Sequence, residues 1–340
     1  MDMTRDYPLC VGLVGVGYWG PNLLRTLMNN PEVRLKTVVD VSTERREYVI
    51  SLHPNIQVVD KLDILLSDPE IEAVVIATPV HTHFKLAKCC LEAGKHILVE
   101  KPLTSTMNEG LELKKISENH QKLIMVGHTF LYNNAVRYVK DYIDSGECGD
   151  IRYIHSQRLN LGRIRNDVDA LWNFAPHDLS IIQYWMNNIL PIEIHRNGMA
   201  FIQKDIEDIS FLSLTYPDNK FANIHVSWLN PLKVREIIVV GSKKMIVYDD
   251  VAKYKVKIYD KNIDIRANLG EYMDFDQKDD NFFIHRSGSI ETPDIVWEEP
   301  LKQEIQHFVD CIKRKVCCLT GIDHALQIVG ILSQASIKNV

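Results

Sequence analysis

The sequence predicts an α/β fold, with an N-terminal domain built on a doubly wound parallel sheet and a C-terminal α+β domain with a mostly antiparallel open sheet. Apolar strand patterns alternate with helical patterns from Leu9 to His128, which is typical of parallel sheets with right-handed crossovers. Long β-patterned runs then follow one another, separated by polar turns such as YPDNK. We therefore predict two domains, residues 1–128 and 129–340.

A glycine motif joins the first predicted strand to the first helix. The apolar run LCVGLVG leads into Gly15, Gly17 and Gly20, which have G-x-G-x-x-G spacing, with Tyr18 and Trp19 between them. Gly15 suits a tight turn, Gly17 lets a pyrophosphate approach the backbone, and Gly20 lets the helix pack against the strand. The N–H groups at the helix start face the phosphates. This pattern predicts a Rossmann dinucleotide-binding turn.

The second predicted strand, VRLKTVVD, ends at Asp40. A carboxylate at this position accepts hydrogen bonds from both ribose hydroxyls of an adenosine and repels a 2′-phosphate. We therefore predict NAD as the cofactor, in preference to NADP. The alternative is a glycine turn in an ordinary α/β domain, with Asp40 a solvated strand end.

The later strands of this domain supply further residues to the same edge of the sheet. The buried run AVVIA ends at Thr78-Pro79, and the strand HILVE ends at Glu100. Ligands of such sheets bind outside the carboxyl ends of the strands. We expect one crevice to collect the strand-end residues Gly15, Asp40, Thr78, Glu100 and Gly127.

Two residues are candidates for proton chemistry. Lys101 follows the strand ending at Glu100 and precedes Pro102, where a cis bond is compatible with the sequence. A lysine there can polarise a hydroxyl or ketone; the alternative is a surface lysine in a turn. The run APHDLSIIQYW predicts a helix beginning near Pro176, with His177 at its N-terminal end. A neutral imidazole there can accept a proton; the alternative is a capping or packing histidine.

Composition narrows the function classes. The net charge is −6 and no dense basic run is present, so we expect no nucleic-acid partner. No apolar run is long enough to span a membrane, no signal-peptide pattern is present, and the seven cysteines read as reduced, so we expect a cytoplasmic protein. One group of potential ligands matches no standard metal spacing, and we predict no metal there: His307, Cys311, Cys317, Cys318 and His324. Residues 261–297 are too weakly patterned for an assignment.

Six stretches together resemble the Gfo/Idh/MocA family of nicotinamide-dependent oxidoreductases, over essentially the whole chain. They are GVGYWG at 15–20, VVD ending at 40, ATPVHTHF at 77–84, EAGKHILVEKPL at 92–103, SGECGDIRYI at 145–154 and HD at 177–178. The resemblance implies a Rossmann domain and an α+β domain whose sheet often mediates homo-oligomers, here a dimer or tetramer.

The resemblance also implies roles for individual residues. Lys101 contacts the reacting hydroxyl and the nicotinamide, and His177 is the proton acceptor. Besides the glycine turn, the implied cofactor-binding residues are Thr78, Pro79, His83, Glu100 and Lys101. Two positions depart from the family: Asn173 stands where many members have an aspartate, and the region of Leu131 lacks an arginine that many members carry.

The stretch LNLGRIRNDVDALWNFAPHDLSI is similar to family members that act on nucleotide-linked sugars, such as UDP-N-acetylglucosamine 3-dehydrogenases. Arg158, Arg163 and Arg165 provide planar donors that suit a diphosphate, although Asp167 and Asp169 nearby offer an alternative pairing. The predicted substrate-binding residues are these three arginines with Lys101, Asn173 and His177.

These features predict NAD-dependent oxidation of a secondary ring hydroxyl, at C3, of a nucleotide-linked sugar such as a UDP-aminosugar. Three alternatives stay open. The first is the same chemistry on a free cyclitol or hexose, such as inositol. The second is a reductase that uses NADPH, against which Asp40 argues. The third is a dinucleotide-sensing protein without turnover, which Asn173 keeps open because an amide cannot act as a base.

Overall fold

The structure of the protein is a computed structural model, and it describes residues 7–267 and 281–337. These residues form two compact units. Unit 1 comprises residues up to Asn134, together with Leu179–Tyr184 and the segment from Trp297 onward. Unit 2 comprises Ala135–Asp178 and Trp185–Val296. No helix in the described ranges is both long and apolar enough to cross a membrane.

Unit 1 contains a six-stranded parallel sheet in the order β3-β2-β1-β4-β5-β6, the strand order of a Rossmann fold. Its strands are β1 (Leu9–Val14), β2 (Val33–Val39), β3 (Gln57–Val59), β4 (Ala73–Ile76), β5 (His96–Glu100) and β6 (Ile124–Gly127). The connecting helices are α1 (Gly20–Met28), α2 (Thr43–Leu52), α3 (Leu62–Leu66), α4 (Val80–Glu92) and α5 (Met107–His120), and the short 3₁₀ helix Thr129–Tyr132 follows β6.

The central strands are apolar because both faces of the sheet are covered. Every residue of β1, β4 and β6 is buried, as expected for parallel strands between two helical layers. The predicted alternation of strands and helices from Leu9 to His128 is confirmed.

The predicted domain boundary at residue 128 differs from the observed units, because the C-terminal helices return to unit 1. These are α8 (Pro300–Lys313) and α9 (Ile322–Ala335). Residues of α8 such as Phe308 belong to one apolar cluster with β1, and residues of α9 such as Val329 belong to a second cluster with β4 and β5. The last helices therefore complete the core of the parallel-sheet unit.

Unit 2 contains an eight-stranded sheet in the order β14-β13-β12-β11-β7-β10-β9-β8. All neighbours are antiparallel except β7 and β10, so the predicted mostly antiparallel sheet is confirmed. Its strands are β7 (Ile151–Leu161), β8 (Glu193–Met199), β9 (Ile209–Tyr216), β10 (Lys220–Ser227), β11 (Leu229–Gly241), β12 (Met245–Asp249), β13 (Val256–Ala267) and β14 (Asn281–Glu291). Two helices lie before and after β7 in the sequence, α6 (Asn134–Asp144) and α7 (Ala170–Trp185).

The strands of unit 2 show the predicted two-residue alternation. In β9, Leu212 and Leu214 are fully buried whereas Phe211 is 40% exposed, since successive side chains point to opposite faces. Residues 261–297, which the sequence left unassigned, include the end of β13 and all of β14, which pair with each other. Residues 268–280 of that stretch lie outside the described residues.

Helix α5 packs against α4 and α9 in unit 1 and begins with a capping box. The Thr106 hydroxyl accepts the Glu109 N–H, and the Glu109 carboxylate accepts the Thr106 N–H, at 3.3 and 3.1 Å. Two otherwise unpaired donors of the first turn are thereby satisfied.

We predict that Thr106→Ala lowers the free energy of unfolding by about 1 kcal/mol, the usual cost of losing an N-cap. The midpoint of urea denaturation measures the loss. Ser105→Ala is the matched control, because Ser105 is exposed and lies outside the cap. Equal midpoints for the two variants would contradict this account of the helix start.

Candidate functional site

The glycine turn of unit 1 has the geometry that the sequence predicts. Gly15 has a φ of +92°, and a Cβ there would lie 2.6 Å from the Ala77 carbonyl oxygen. A Cβ on Gly20 would lie 2.6 Å from the Gly15 carbonyl oxygen, whereas a Cβ on Gly17 would have nothing within 4 Å. Two glycines therefore permit close backbone packing, and the third leaves open space where a pyrophosphate would approach. Between them, Tyr18 is 87% exposed.

Asp40 follows β2 and is joined to the glycine turn. One of its carboxylate oxygens accepts the Val16 N–H at 2.7 Å, and the other accepts the Ser42 N–H at 2.8 Å. A carboxylate has about four acceptor positions, so two remain for ribose hydroxyls. Arg46 lies beside this residue and donates to the carbonyl oxygens of Asp40 and Val41. Arg46 was not singled out in the sequence.

The segment after β4 contains the next three predicted residues. Pro79 precedes α4, and the Thr78 hydroxyl bonds to that of Thr82 at 2.6 Å. His83 is only 1% exposed, and its two ring nitrogens lie 2.9 and 2.8 Å from the carbonyl oxygens of Pro102 and Thr78. Burial lowers the pKa of this imidazole. A neutral imidazole has one N–H and donates to one of these carbonyl oxygens, which ties the ring to the backbone; its part in cofactor binding stays a prediction.

Glu100 ends β5 beside Gly127 of β6. A Cβ on Gly127 would lie 3.2 Å from the Glu100 carboxyl group, so this glycine makes room for it. The Trp19 indole donates a hydrogen bond to that group. The residue keeps partial exposure, yet removal of its carboxyl group from water raises its pKa to about 7, against the opposing effect of Lys101. Glu100 therefore links the glycine turn to the end of β5.

Lys101 is half-buried directly after β5, and the Lys101–Pro102 peptide bond is cis. The ammonium group lies close enough to Glu100 and to His128 to affect the pKa of each. His128 is 2% exposed, and its ring packs edge-on against that of His324, with centroids 5.4 Å apart. Burial, with the charges of His324 and Lys101, holds the pKa of His128 well below its usual value. A neutral imidazole thus neighbours Lys101.

A buried acid of α8, missed in the sequence, lies near the same strand ends. Glu304 is fully buried, and one of its carboxyl oxygens accepts the Thr129 hydroxyl at 2.9 Å. Burial and the charge of Glu100 hold the pKa of Glu304 well above its usual range. It lies on the same helix stripe as Leu301 and Phe308. A glutamate within an apolar stripe is the signal that could have identified it.

In unit 2, Arg158 forms a buried ion pair with Asp178. Its guanidinium is buried and donates twice to the Asp178 carboxylate, at 2.8 and 3.0 Å, and the two side chains are only 5% and 2% exposed. The donors of Arg158 thus face a buried carboxylate from the predicted catalytic helix, and its role in substrate binding stays a prediction that this pairing does not favour. The pair ties α7 to β7.

The other two predicted arginines lie in the segment between β7 and α7. Arg163 is exposed, and Arg165 is partly exposed. Arg165 pairs with Asp167, and its guanidinium lies 3.4 Å from the Asn173 side-chain oxygen. The alternative of arginine–aspartate pairing is thus realised for Arg165, which nonetheless keeps about a third of its side chain accessible.

Helix α7 begins earlier than predicted. It starts at Ala170, and the Asp169 carboxylate caps it by accepting the Trp172 N–H at 2.9 Å. Pro176 lies inside the helix, so His177 is an interior residue and the predicted effect of the helix N-terminus on its charge does not apply. His177 is half-buried. Its role as proton acceptor stays a prediction.

The comparisons with known proteins agree with this architecture. Residues 9–128 match the GFO_IDH_MocA domain, described as an oxidoreductase family with an NAD-binding Rossmann fold. Residues 136–247 match the GFO/IDH/MocA C-terminal domain.

Individual relatives are distant. The chain is 22% identical to a 2,7-anhydro-N-acetylneuraminate hydratase of Mediterraneibacter gnavus, over 93% of this chain and 86% of that protein. It is 31% identical to an NADP(+)-dependent scyllo-inositol 2-dehydrogenase of Bacillus subtilis, but this match spans only 48% of the chain and 45% of that enzyme. Among solved structures, a UDP-N-acetylglucosamine 3-dehydrogenase from Acidithiobacillus ferrooxidans superposes with a TM-score of 0.81 at 22% identity, over 96% of both chains. At this identity the likeness shows a shared fold.

We predict that Asp178→Asn destabilises the protein by about 3–5 kcal/mol, since it leaves the buried Arg158 charge without its counter-charge. Urea denaturation followed by tryptophan fluorescence measures the change. Asp167→Asn is the matched control, because its partner Arg165 is partly exposed and such a pair contributes at most about 1 kcal/mol. A loss for Asp178→Asn no larger than that of the control would mean that the buried pair does not hold α7.

Proposed function

Since this chain belongs to the Gfo/Idh/MocA family of oxidoreductases, we propose that it oxidises a secondary ring hydroxyl, at C3, of a nucleotide-linked sugar. NAD, when bound, is the hydride acceptor. The observation that carries the proposal is the set of strand-end residues in unit 1. A glycine turn open at Gly17, the ribose-type acceptor Asp40 and the cation Lys101 all follow parallel strands of one sheet.

The cofactor assignment rests on the acceptors and donors that remain around the glycine turn. Asp40 keeps two acceptor positions for ribose hydroxyls, and its negative charge opposes a 2′-phosphate. Arg46 lies nearby and directs three of its five N–H donors to the carbonyl oxygens of Asp40 and Val41 and to the Thr43 hydroxyl. The residues present therefore fit NAD.

Lys101 and His177 have complementary roles in the proposed reaction. Lys101 orients the reacting hydroxyl and stabilises the negative charge that develops on its oxygen. Burial raises the pKa of Glu100 to about 7, which makes it a weaker counter-charge for Lys101 than an ordinary glutamate. His177 accepts the hydroxyl proton as a general base, a role that requires the neutral imidazole. The product is a keto sugar, which suits a subsequent amination.

The nucleotide part of the substrate would bind to arginines in the segment before α7. Arg163 and Arg165 are accessible donors for a diphosphate. Arg158 is paired with Asp178, which leaves two of the three arginines for this role. The second candidate is therefore the same oxidation of a free cyclitol or hexose, which the partial match to an inositol dehydrogenase favours. The third is NAD binding without turnover, because the amide of Asn173 cannot act as a base.

A substrate panel separates these candidates. Purified protein is mixed with NAD and UDP-N-acetylglucosamine, its uronate, other nucleotide sugars, glucose or inositol, and reduced nicotinamide is followed by absorbance. An aminotransferase is added to half of the samples to remove the ketone. A signal with a nucleotide sugar supports the proposal, and a signal only with a free polyol supports the second candidate. Bound NAD without any signal supports the third.

We predict that Lys101→Ala and His177→Ala each lower kcat by roughly 10²–10⁴-fold, the usual contribution of a positioned acid or base. Their Kd for NAD should change much less, since the turn and Asp40 are intact. Lys85→Ala and His195→Ala are the matched controls, because both residues are exposed and lie outside the proposed site. Full activity in either site variant would remove that residue from the mechanism.

We also predict that Asp40→Asn weakens NAD binding by roughly 10–100-fold, the effect of losing charge-assisted hydrogen bonds. Binding of NADP should weaken less or improve, since the charge that repels its 2′-phosphate is removed. Calorimetric titration with both dinucleotides gives the ratio of the two constants, and Asp63→Asn, on the exposed side of α3, is the control. An unchanged NAD-to-NADP ratio would show that Asp40 does not select the cofactor.

A further inference from the structure

A cluster of two cysteines and a histidine lies in unit 1, in the part of the chain that the proposed reaction does not use. His307 and Cys311 lie one turn apart on α8, and Cys318 belongs to the segment that joins α8 to α9. Each residue offers one potential ligand atom, a ring nitrogen of His307 or the sulfur of a cysteine, and these three atoms lie within 4.8 Å of one another. Cys311 and Cys318 are both half-buried. The structure thus brings together three of the five residues for which the sequence predicts no metal site.

The contacts of His307 decide between a metal ligand and a partner of the thiols. Its Nε2 atom lies 3.4 Å from the Cys311 sulfur and accepts the Leu319 backbone N–H at 3.0 Å. The nitrogen of a neutral imidazole that accepts a hydrogen bond has one lone pair, and a metal would need the same lone pair. With Leu319 N–H in that position, the geometry favours thiol chemistry.

A hydrogen bond joins the two sulfurs, and it shifts the pKa values of the two thiols in opposite directions. Donation from Cys318 is the main cause that lowers the pKa of Cys311 to about 6, against the opposing effects of burial and of Asp310. The same bond, with burial, raises the pKa of Cys318. Of the two sulfurs, Cys311 is therefore the one that loses its proton first, and Cys318 is the one that keeps it.

We propose that Cys311 and Cys318 form an oxidisable cysteine pair, which a hydroperoxide converts into a disulfide. The Cys311 thiolate attacks the peroxide oxygen, the O–O bond breaks, and Cys311 becomes a sulfenic acid while the leaving oxygen departs as water. The Cys318 thiol then attacks the Cys311 sulfur, an S–S bond forms, and the sulfenic oxygen departs as a second water. Two thiols and one hydrogen peroxide thus give one disulfide and two waters.

The segment that carries Cys318 is tied to the strand at the edge of the parallel sheet. The Thr320 carbonyl oxygen accepts the Val126 N–H at 2.9 Å, and the Thr320 hydroxyl bonds to that of Tyr132 at 2.9 Å. Gly321 forms a β-bridge with Met125 of β6. A Cys311–Cys318 disulfide would therefore join the end of α8 covalently to a segment already anchored on β6.

The test is site-specific oxidation of the full chain. Protein reduced and then freed of reductant is treated with one equivalent of hydrogen peroxide at pH 7, alkylated and digested with trypsin. Trypsin cleaves between the two cysteines at Lys313, Arg314 and Lys315, so a disulfide appears in the mass spectrum as two linked peptides. We expect this link to form and dithiothreitol to remove it.

Three variants identify the partners. Cys311→Ser and Cys318→Ser should each abolish the linked peptides, whereas Cys317→Ser, which removes the exposed neighbour, should leave them unchanged. Circular dichroism of the variants confirms that they fold. Absence of the link, or a link that Cys317→Ser abolishes, would overturn the proposal. Stoichiometric zinc in the purified protein, lost in Cys311→Ser and protecting the thiols from peroxide, would also overturn it and assign the cluster as a metal site.

Discussion

The close approach of backbone segments at the first turn of unit 1 is the constraint on which the proposed cofactor site depends. A Cβ on Gly15 would lie 2.6 Å from the Ala77 carbonyl oxygen, and a Cβ on Gly20 would lie 2.6 Å from the Gly15 carbonyl oxygen. Only glycine fits such positions, so the turn holds β1, β4 and α1 together with no side chain between them. The Asp40 carboxylate then extends the same arrangement to β2 through the Val16 N–H. The strand order, the glycine spacing and Asp40 thus together position the backbone of the proposed cofactor site.

A second constraint operates in unit 2, where a buried ion pair holds an arginine that the sequence assigns to substrate binding. Arg158 of β7 and Asp178 of α7 are joined by two hydrogen bonds, and both side chains are buried. Removing both charges together would be far less harmful than removing one. Asp178 directly follows His177, so the pair restrains the helix segment that carries the proposed proton acceptor.

Much of this architecture could be predicted from local patterns. The strand–turn–helix at Gly15, the apolar strands and the polar residues at their carboxyl ends are encoded within short windows of sequence. Their convergence follows from the geometry of parallel sheets. The features that the sequence did not show depend on contacts between distant residues. No spacing rule pairs Arg158 with Asp178, and no local pattern shows that α8 and α9 return to the first sheet.

The start of α7 illustrates how one local signal can conceal another. Pro176 suggests a first helical turn, because proline is favoured there, but the helix starts at Ala170 and passes through this proline. The cap at Asp169, which accepts the N–H three residues later, marks the true start. Glu304 is a comparable case. Its position in an apolar helix stripe could be predicted from the sequence, but its hydrogen bond with Thr129 and its proximity to Glu100 could not.

The central claim is that the carbon bearing the oxidised hydroxyl gives its hydride directly to NAD. Single-turnover reaction of the protein with NAD and UDP-N-acetylglucosamine deuterated at C3, followed by mass spectrometry of the nicotinamide product, tests it most directly. The account predicts reduced NAD that is one mass unit heavier than the product from unlabelled sugar. Reduced NAD without deuterium would contradict oxidation at C3, and no reduction of NAD by this or any other sugar would contradict the dehydrogenase assignment.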